Sequence, residues 1–225
     1  MSHDRRSAFR GPPVKGLEPF AIRAFRLLWV GQTVSALGTA ITRIALVFAI
    51  LDLGGGAVEI GYVTAIQTVA TMVFTLVGGV WADRLRRNYV MLGSDVVRAV
   101  VQGVLAALLL SGHAQIWMLA VGAAVFGAAT AFFDPASGGL LPETLPAEQL
   151  QSGHALINFA NTFFSVGGPA VSGLLIAAFS PGLVFGLDAA TFVVSAISLA
   201  LLRLAPGPCP RRSRSGRTCV PAGVR

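Results

Sequence analysis

The chain has 225 residues, of which 54% are hydrophobic and 12% charged, with a net charge of +7 and a mean hydropathy of +0.72. A soluble domain carries roughly 25% charged residues, so a water-soluble globule, a disordered chain and a dedicated nucleic-acid binder are excluded. The cysteines, Cys209 and Cys219, lie in a polar tail, which argues against a disulfide-stapled or cysteine-ligated core.

A helix needs about 20 apolar residues to cross a hydrocarbon core of about 30 Å. Six segments reach or approach that length: 27–51, 61–81, 89–110, 116–133, 157–179 and 183–202. None shows the alternation of barrel strands, so the expected class is an all-α membrane protein with six transmembrane helices. The first apolar run, about 25 residues long, exceeds the 7–15 of a signal-peptide core. Residues 1–24 read as a basic tail, 25–203 as the six-helix bundle, and 204–225 as a basic, Pro-rich, disordered tail.

In chain order, the first span puts Gln32, Ser35, Thr39 and Arg43 on one face. The second carries Thr64, Thr68, Thr71 and Thr75, with Gln67 beside them. It ends in Gly79 and the turn Asp83-Arg84-Leu85-Arg86-Arg87. The glycine permits close helix packing, and the Asp83 carboxylate can accept hydrogen bonds from a neighbouring helix N-terminus. Such a bond is worth about 0.3–2 kcal/mol, weak enough to be made and broken by a gate. In the third span Asp95 and Arg98 share a face, and a local ion pair supporting that turn is favoured over substrate binding.

A long connection, 134–155, is rich in Pro and Gly and holds Asp134, Glu143 and Glu148, with a helix start at Pro146-Ala147-Glu148. The fifth span aligns Asn158, Asn161, Ser165 and Ser172, and its Gly168, Pro169 and Gly173 read as a kink or, equally, as plain small-residue packing. The sixth aligns Asp188, Thr191, Ser195 and Ser198. Ser and Thr alone favour knitting helices together, whereas the added amides tip spans one, two and five toward lining a wet path. Gln32, Thr39, Arg43, Gln67, Thr71, Asn158 and Asn161 are the candidates for substrate contact.

A bare charge at mid-bilayer costs at least about 2.5–3.5 kcal/mol. Arg43 and Asp188 lie at similar depths, about 13 and about 10 Å from the outer surface. An interhelical charge pair between them is therefore expected, with outward snorkelling of Arg43 as an equal alternative.

All Lys and Arg except Arg43 and Arg98 fall before or at the opening of span one, between spans two and three, or after span six. That distribution places a multi-pass protein in the cell membrane with both termini cytoplasmic. The basic tails are read as setting this topology, in preference to binding anionic lipid or nucleic acid. No phosphate loop and no H-E-x-x-H are present, and His3, His113 and His154 fall on a tail and two connections. An enzyme is not expected, nor is a metal or cofactor.

Gly79, Asp83, Arg84 and Arg87 together resemble the G-x-x-x-D-R-x-G-R-R turn of the major facilitator superfamily, with Arg86 in place of its glycine. Phe25 to Gln32, Asp95-x-x-Arg98, and Phe133-Asp134-Pro135-Ala136 continuing to Leu141-Pro142-Glu143 are similar to its enterobactin-exporter and macrolide-efflux branch. The Gly167 to Gly173 stretch partly resembles an element of proton-coupled exporters. The resemblance implies one half of that fold, a 3+3 inverted repeat, and secondary active efflux of a small amphipathic molecule such as a drug or siderophore by alternating access. It makes Gly79, Asp83, Arg84, Arg86 and Arg87 a gating turn. Transporters of that family have two such halves, so a homodimer or a separate chain would supply the second. The alternative is a truncated, non-transporting fragment or accessory subunit of a split transporter. The expected partners are the lipid bilayer and a small-molecule substrate. Reporter fusions at the Asp83 turn and in the C-terminal tail should register as cytoplasmic; an external Asp83 turn would overturn this topology.

Overall fold

Residues 18–82 and 87–202 are described in the computed structural model, and no strand occurs among them. A short 3-10 turn, Glu18–Ala21, leads into α1 (Arg23–Asp52), α2 (Ala57–Ala82), α3 (Arg87–Leu110), α4 (Ile116–Thr144), α5 (Leu150–Ala178) and α6 (Pro181–Ala200). All six are long and apolar enough to cross a bilayer. The tails at 1–17 and 203–225 and the turn at 83–86 lie outside the described residues.

The connections follow from local chemistry. Gly54 and Gly112 take the left-handed conformation, with φ of 80° and 72°. Each closes its helix with a paired bond set: Gly55 N donates to Ile50 O and Gly54 N to Leu51 O, then His113 N to Leu108 O and Gly112 N to Leu109 O. Glu59 reaches back to the Gly56 N–H at 2.7 Å, as a third-position glutamate does in a capping box. Pro181 opens α6 where its missing N–H costs nothing.

One expectation is corrected. Instead of a long connection over 134–155, α4 continues to Thr144 through Pro135 and Pro142, leaving only residues 145–149 before α5. A proline inside a helix costs about 3 kcal/mol, but this extension buries Phe133, Ala136, Leu140 and Leu141 against Phe25, Leu28, Met91 and Leu199. Each large side chain so buried contributes about 1.5–3 kcal/mol, enough to offset two broken backbone bonds. The helix start expected at Pro146 stands: Pro146 caps a 3-10 turn, Ala147–Gln149, that runs into α5.

The packing has a hidden regularity. α3 lies against α6 at the centre; α1 packs on α6 and α5, and α4 packs on α3 and α2. Exchanging α1 with α4, α2 with α5 and α3 with α6 leaves this scheme unchanged. Short connections make successive helices antiparallel, so α1 and α4 run oppositely and the relating axis lies in the membrane plane, as in a 3+3 inverted repeat. Equivalent ties hold the outer helices: Thr71 of α2 donates to Gly127 O of α4 at 3.2 Å, and Ser172 of α5 donates to Ile41 O of α1 at 2.7 Å.

Two apolar clusters fill the ends of the bundle. One joins Ala45, Ala49, Ile50, Leu105, Leu119, Val184 and Phe185; the other joins Phe25, Leu28, Met91, Leu140, Leu141 and Leu199. Between them on α1, α3 and α6 lies a belt of buried polar side chains: Ser35, Thr42, Asp95, Arg98, Gln102, Asp188 and Ser195. α1 enters this belt at Gly38, where a Cβ would overlap Thr191 Oγ1 and Asp188 Oδ1. Gly38→Ala should therefore lower the unfolding stability in detergent by about 1–3 kcal/mol. Gly173→Ala, with nothing within 4 Å of the added carbon, should leave it unchanged or slightly raised.

Candidate functional site

Charge inside the bundle is organised on α3 and α6. Arg98 Nη2 donates to Asp95 Oδ1 at 2.6 Å, and both side chains are almost wholly buried. Ser195 of α6 donates to the other carboxylate oxygen, Oδ2, at 2.7 Å. The guanidinium carbon sits 4.1 Å from the Phe133 ring centroid and 4.7 Å from that of Phe192, so two aromatic rings flank it, while its buried Nε has no hydrogen-bond partner. The Asp95–Arg98 pair thus ties α3 to α4 and α6.

Asp188 is also fully buried, but its partners are neutral. Gln102 Nε2 donates to Oδ2 at 2.6 Å, and the Thr191 hydroxyl donates to the Asp188 main-chain oxygen at 2.7 Å while lying 3.3 Å from Oδ1. The Arg43–Asp188 ion pair expected from matched depths is not formed. Both residues border one small cavity of about 90 Å³ together with Thr39, Gln67 and Gln102. They share that cavity without touching, and the carboxylate takes its hydrogen bond from Gln102, one helix over.

Next to this cavity opens a larger cleft of about 440 Å³. Gln32, Thr39 and Arg43 line it from α1, Gln67 from α2, Thr130, Asp134 and Ser137 from α4, and Asn161 from α5. Phe126 and Phe133 give it apolar walls. Five of the seven residues singled out for substrate contact meet here. The other two do not: Thr71 is spent on α2–α4 packing through Gln67 O and Gly127 O, and Asn158 is exposed away from the cleft. Thr68 and Thr75 likewise bond their own helix four residues back.

In the gating turn, Asp83, Arg84 and Arg86 lie outside the described residues, and Gly79 falls in α2 where side-chain surroundings are not described. Arg87 opens α3 and reaches α4, its Nη1 donating to Gly139 O at 2.6 Å and lying 3.4 Å from Glu143 Oε1. In α5, Gly168 packs against Ala40 of α1 and Pro169 faces the cleft, whereas Gly173 meets nothing. The helix runs unbroken through Pro169.

The sequence reading missed Gln102, Thr130, Asp134 and Ser137 as members of this region. Gln102 stands seven residues after Asp95, two turns along the same face, and that spacing was the available signal. Asp134 and Ser137 were lost because the helix had been ended at Phe133, whereas Thr130 lay inside the expected span as a lone hydroxyl with no polar stripe around it.

Comparison with known proteins adds the following. The model of the Major Facilitator Superfamily matches residues 28–222. Macrolide efflux protein A of Streptococcus pyogenes is 26% identical over 180 residues, covering 80% of this chain and 44% of that protein. The uncharacterized MFS-type transporter YfiS of Bacillus subtilis is 30% identical over 176 residues, 78% of this chain and 41% of the relative. Multidrug efflux pump Tap of Mycolicibacterium fortuitum is 29% identical over 193 residues, 83% and 47% respectively. The chain thus spans less than half the length of the curated relatives it matches.

Removing one member of a buried ion pair strands the other, at about 3–5 kcal/mol. Asp95→Leu and Arg98→Met should each lower thermal stability in detergent by that amount, and the double variant should recover much of the loss.

Proposed function

The chain belongs to the Major Facilitator Superfamily, and on that premise we propose that it forms one half of a secondary carrier exporting a small amphipathic molecule by alternating access. It is a multi-pass membrane protein of a transporter family rather than an enzyme. The observation that carries the reading is the cleft. Its volume, about 440 Å³, falls within the roughly 300–1,000 Å³ of small-molecule sites. Amide and hydroxyl groups share its lining with Phe126, Phe133, the cations Arg43 and Arg98, and Asp134. A ligand with a large apolar body and a few polar or charged groups suits such walls, and the names of the relatives, macrolide efflux and multidrug efflux, point to the same chemistry.

The cleft is flanked by α2 and α5, whose outer side chains are largely unburied; Met72 and Leu76 on one side and Phe159 and Phe163 on the other are exposed. A second six-helix half, from another copy or a separate chain, would cover these flanks and close the cleft, and rocking of the halves would expose it to each side in turn. In this reading both termini and the Asp83 turn are cytoplasmic, and Arg87 anchors the turn to α4.

Native mass measurement with crosslinking, joined to thermal shift with a macrolide, tests the proposal. A dimer or a two-chain complex stabilised by the drug is expected, with Gln32→Leu and Asn161→Leu each weakening the drug about tenfold, or about 1.4 kcal/mol. A strict monomer indifferent to the drug would overturn it in favour of a non-transporting subunit.

A further inference from the structure

The central pair of helices repeats one device twice. Asp95 of α3 accepts a hydrogen bond from Ser195 of α6, and Asp188 of α6 accepts one from Gln102 of α3. On each helix the acid and the cross-helix donor are seven residues apart, so the in-plane two-fold axis that exchanges α3 with α6 carries one acid–donor pair onto the other. On each helix, too, the residue three positions after the acid turns back toward it. In α3 that residue is Arg98, at 2.6 Å from Asp95 Oδ1; in α6 it is Thr191, at 3.3 Å from Asp188 Oδ1. The repeat therefore buries two equivalent carboxylates and gives a contacting cation to one.

We propose that Asp188 is the residue at which this protein binds a proton inside the membrane, and that Arg43 is the partner taken by the ionised carboxylate when the proton leaves. Three carboxylates, Asp95, Asp134 and Asp188, lie within the electrostatic reach of the buried Arg98 guanidinium. Asp95 holds it in direct contact, and Asp134 is exposed at the cleft where water can solvate it. Asp188 has 0% exposure and neutral contacts, so a full charge there is the least compensated of the three.

The surroundings fit a proton better than a metal ion. Gln102 turns its N–H, a donor, onto Oδ2, and Arg43 shares the adjoining cavity; both oppose a second cation. Thr191 spends its hydroxyl hydrogen chiefly on its own helix, so its Oγ1, 3.3 Å from Oδ1, can accept from a proton carried there, and the Thr42 hydroxyl stands beside the same carboxylate. On the elements packed against α6, the charged groups near its middle are Arg98 and Asp95 on α3 and Arg43 on α1; Arg87 of α3 and Arg23, Arg26 and Asp52 of α1 stand toward the helix ends, and α5 carries one titratable side chain, His154, at its far end. The cavity of about 90 Å³ has room for a few waters at about 30 Å³ each. Thr39, Arg43 and Gln67 border both this cavity and the open cleft, which gives the proton a wet route from solvent.

The site itself stands on this geometry; its use in driving export rests on the carrier reading above. Infrared difference spectra of the purified chain in lipid, taken from alkaline to acidic buffer without drug, separate the two. Wild type should gain the carbonyl stretch of a buried carboxylic acid. Asp188→Asn should lose that band, Asp188→Glu should keep it at a shifted frequency, and Asp134→Asn should leave it in place. Arg43→Gln, which removes the alternative partner, should move its appearance to higher pH. A band that survives Asp188→Asn or vanishes with Asp134→Asn overturns the assignment, as does a response to sodium in place of acid. A correct band with no drug-dependent thermal shift would keep the proton site while removing the carrier role.

Discussion

Arg98 lies 2.6 Å from Asp95, with its guanidinium over the rings of Phe133 and Phe192, almost wholly buried at the edge of the cleft. Desolvating a guanidinium costs several kcal/mol, repaid only if its partner and its remaining surface are both satisfied in place. Meeting that demand takes one acid from the same helix, one ring from α4, one ring from α6, and a serine on α6 to hold the acid's second oxygen. Three helices are thereby placed relative to one another, and the apolar clusters above and below confine the polar layer to mid-depth.

Around this centre the inverted repeat distributes roles by position. α3 and α6 form the interior pair, α1 and α4 present faces to both the core and the cleft, and α2 and α5 pack along α4 and α1, with the cross-helix hydrogen bonds Thr71 to Gly127 and Ser172 to Ile41. The outer pair can leave polar and aromatic side chains uncovered because the bundle does not depend on burying them. α1 and α4 thus serve both the core and the cleft, and Arg98 of α3 stands where the two meet.

The repeat is symmetric in backbone and broken in chemistry. Where α3 has Asp95 with Arg98, α6 has Asp188 with Thr191, and the difference turns one copy into a fixed brace and leaves the other with a carboxylate that no cation touches. Arg43 faces the same cavity without reaching it. In the proposed carrier such an asymmetry would let the braced copy keep the helices together while the unbraced one changes its charge state.

The number and class of the helices were legible in the residues, because crossing a bilayer demands about 20 apolar positions and the polar residues that interrupt them are few. The face of α1 bearing Gln32, Thr39 and Arg43 was equally legible, since helical period alone puts them together. The end of α4 was not: Pro135, Pro142 and the nearby glycines read locally as a loop, and only the burial of Leu140 and Leu141 against α1, α3 and α6 overrides them. Nor could spacing decide which partner Asp188 takes. Composition and period act along one helix and are written in the chain, whereas the contest between Arg43 and Gln102 for one carboxylate is settled by distances across three helices, which exist only once α1, α3 and α6 have packed.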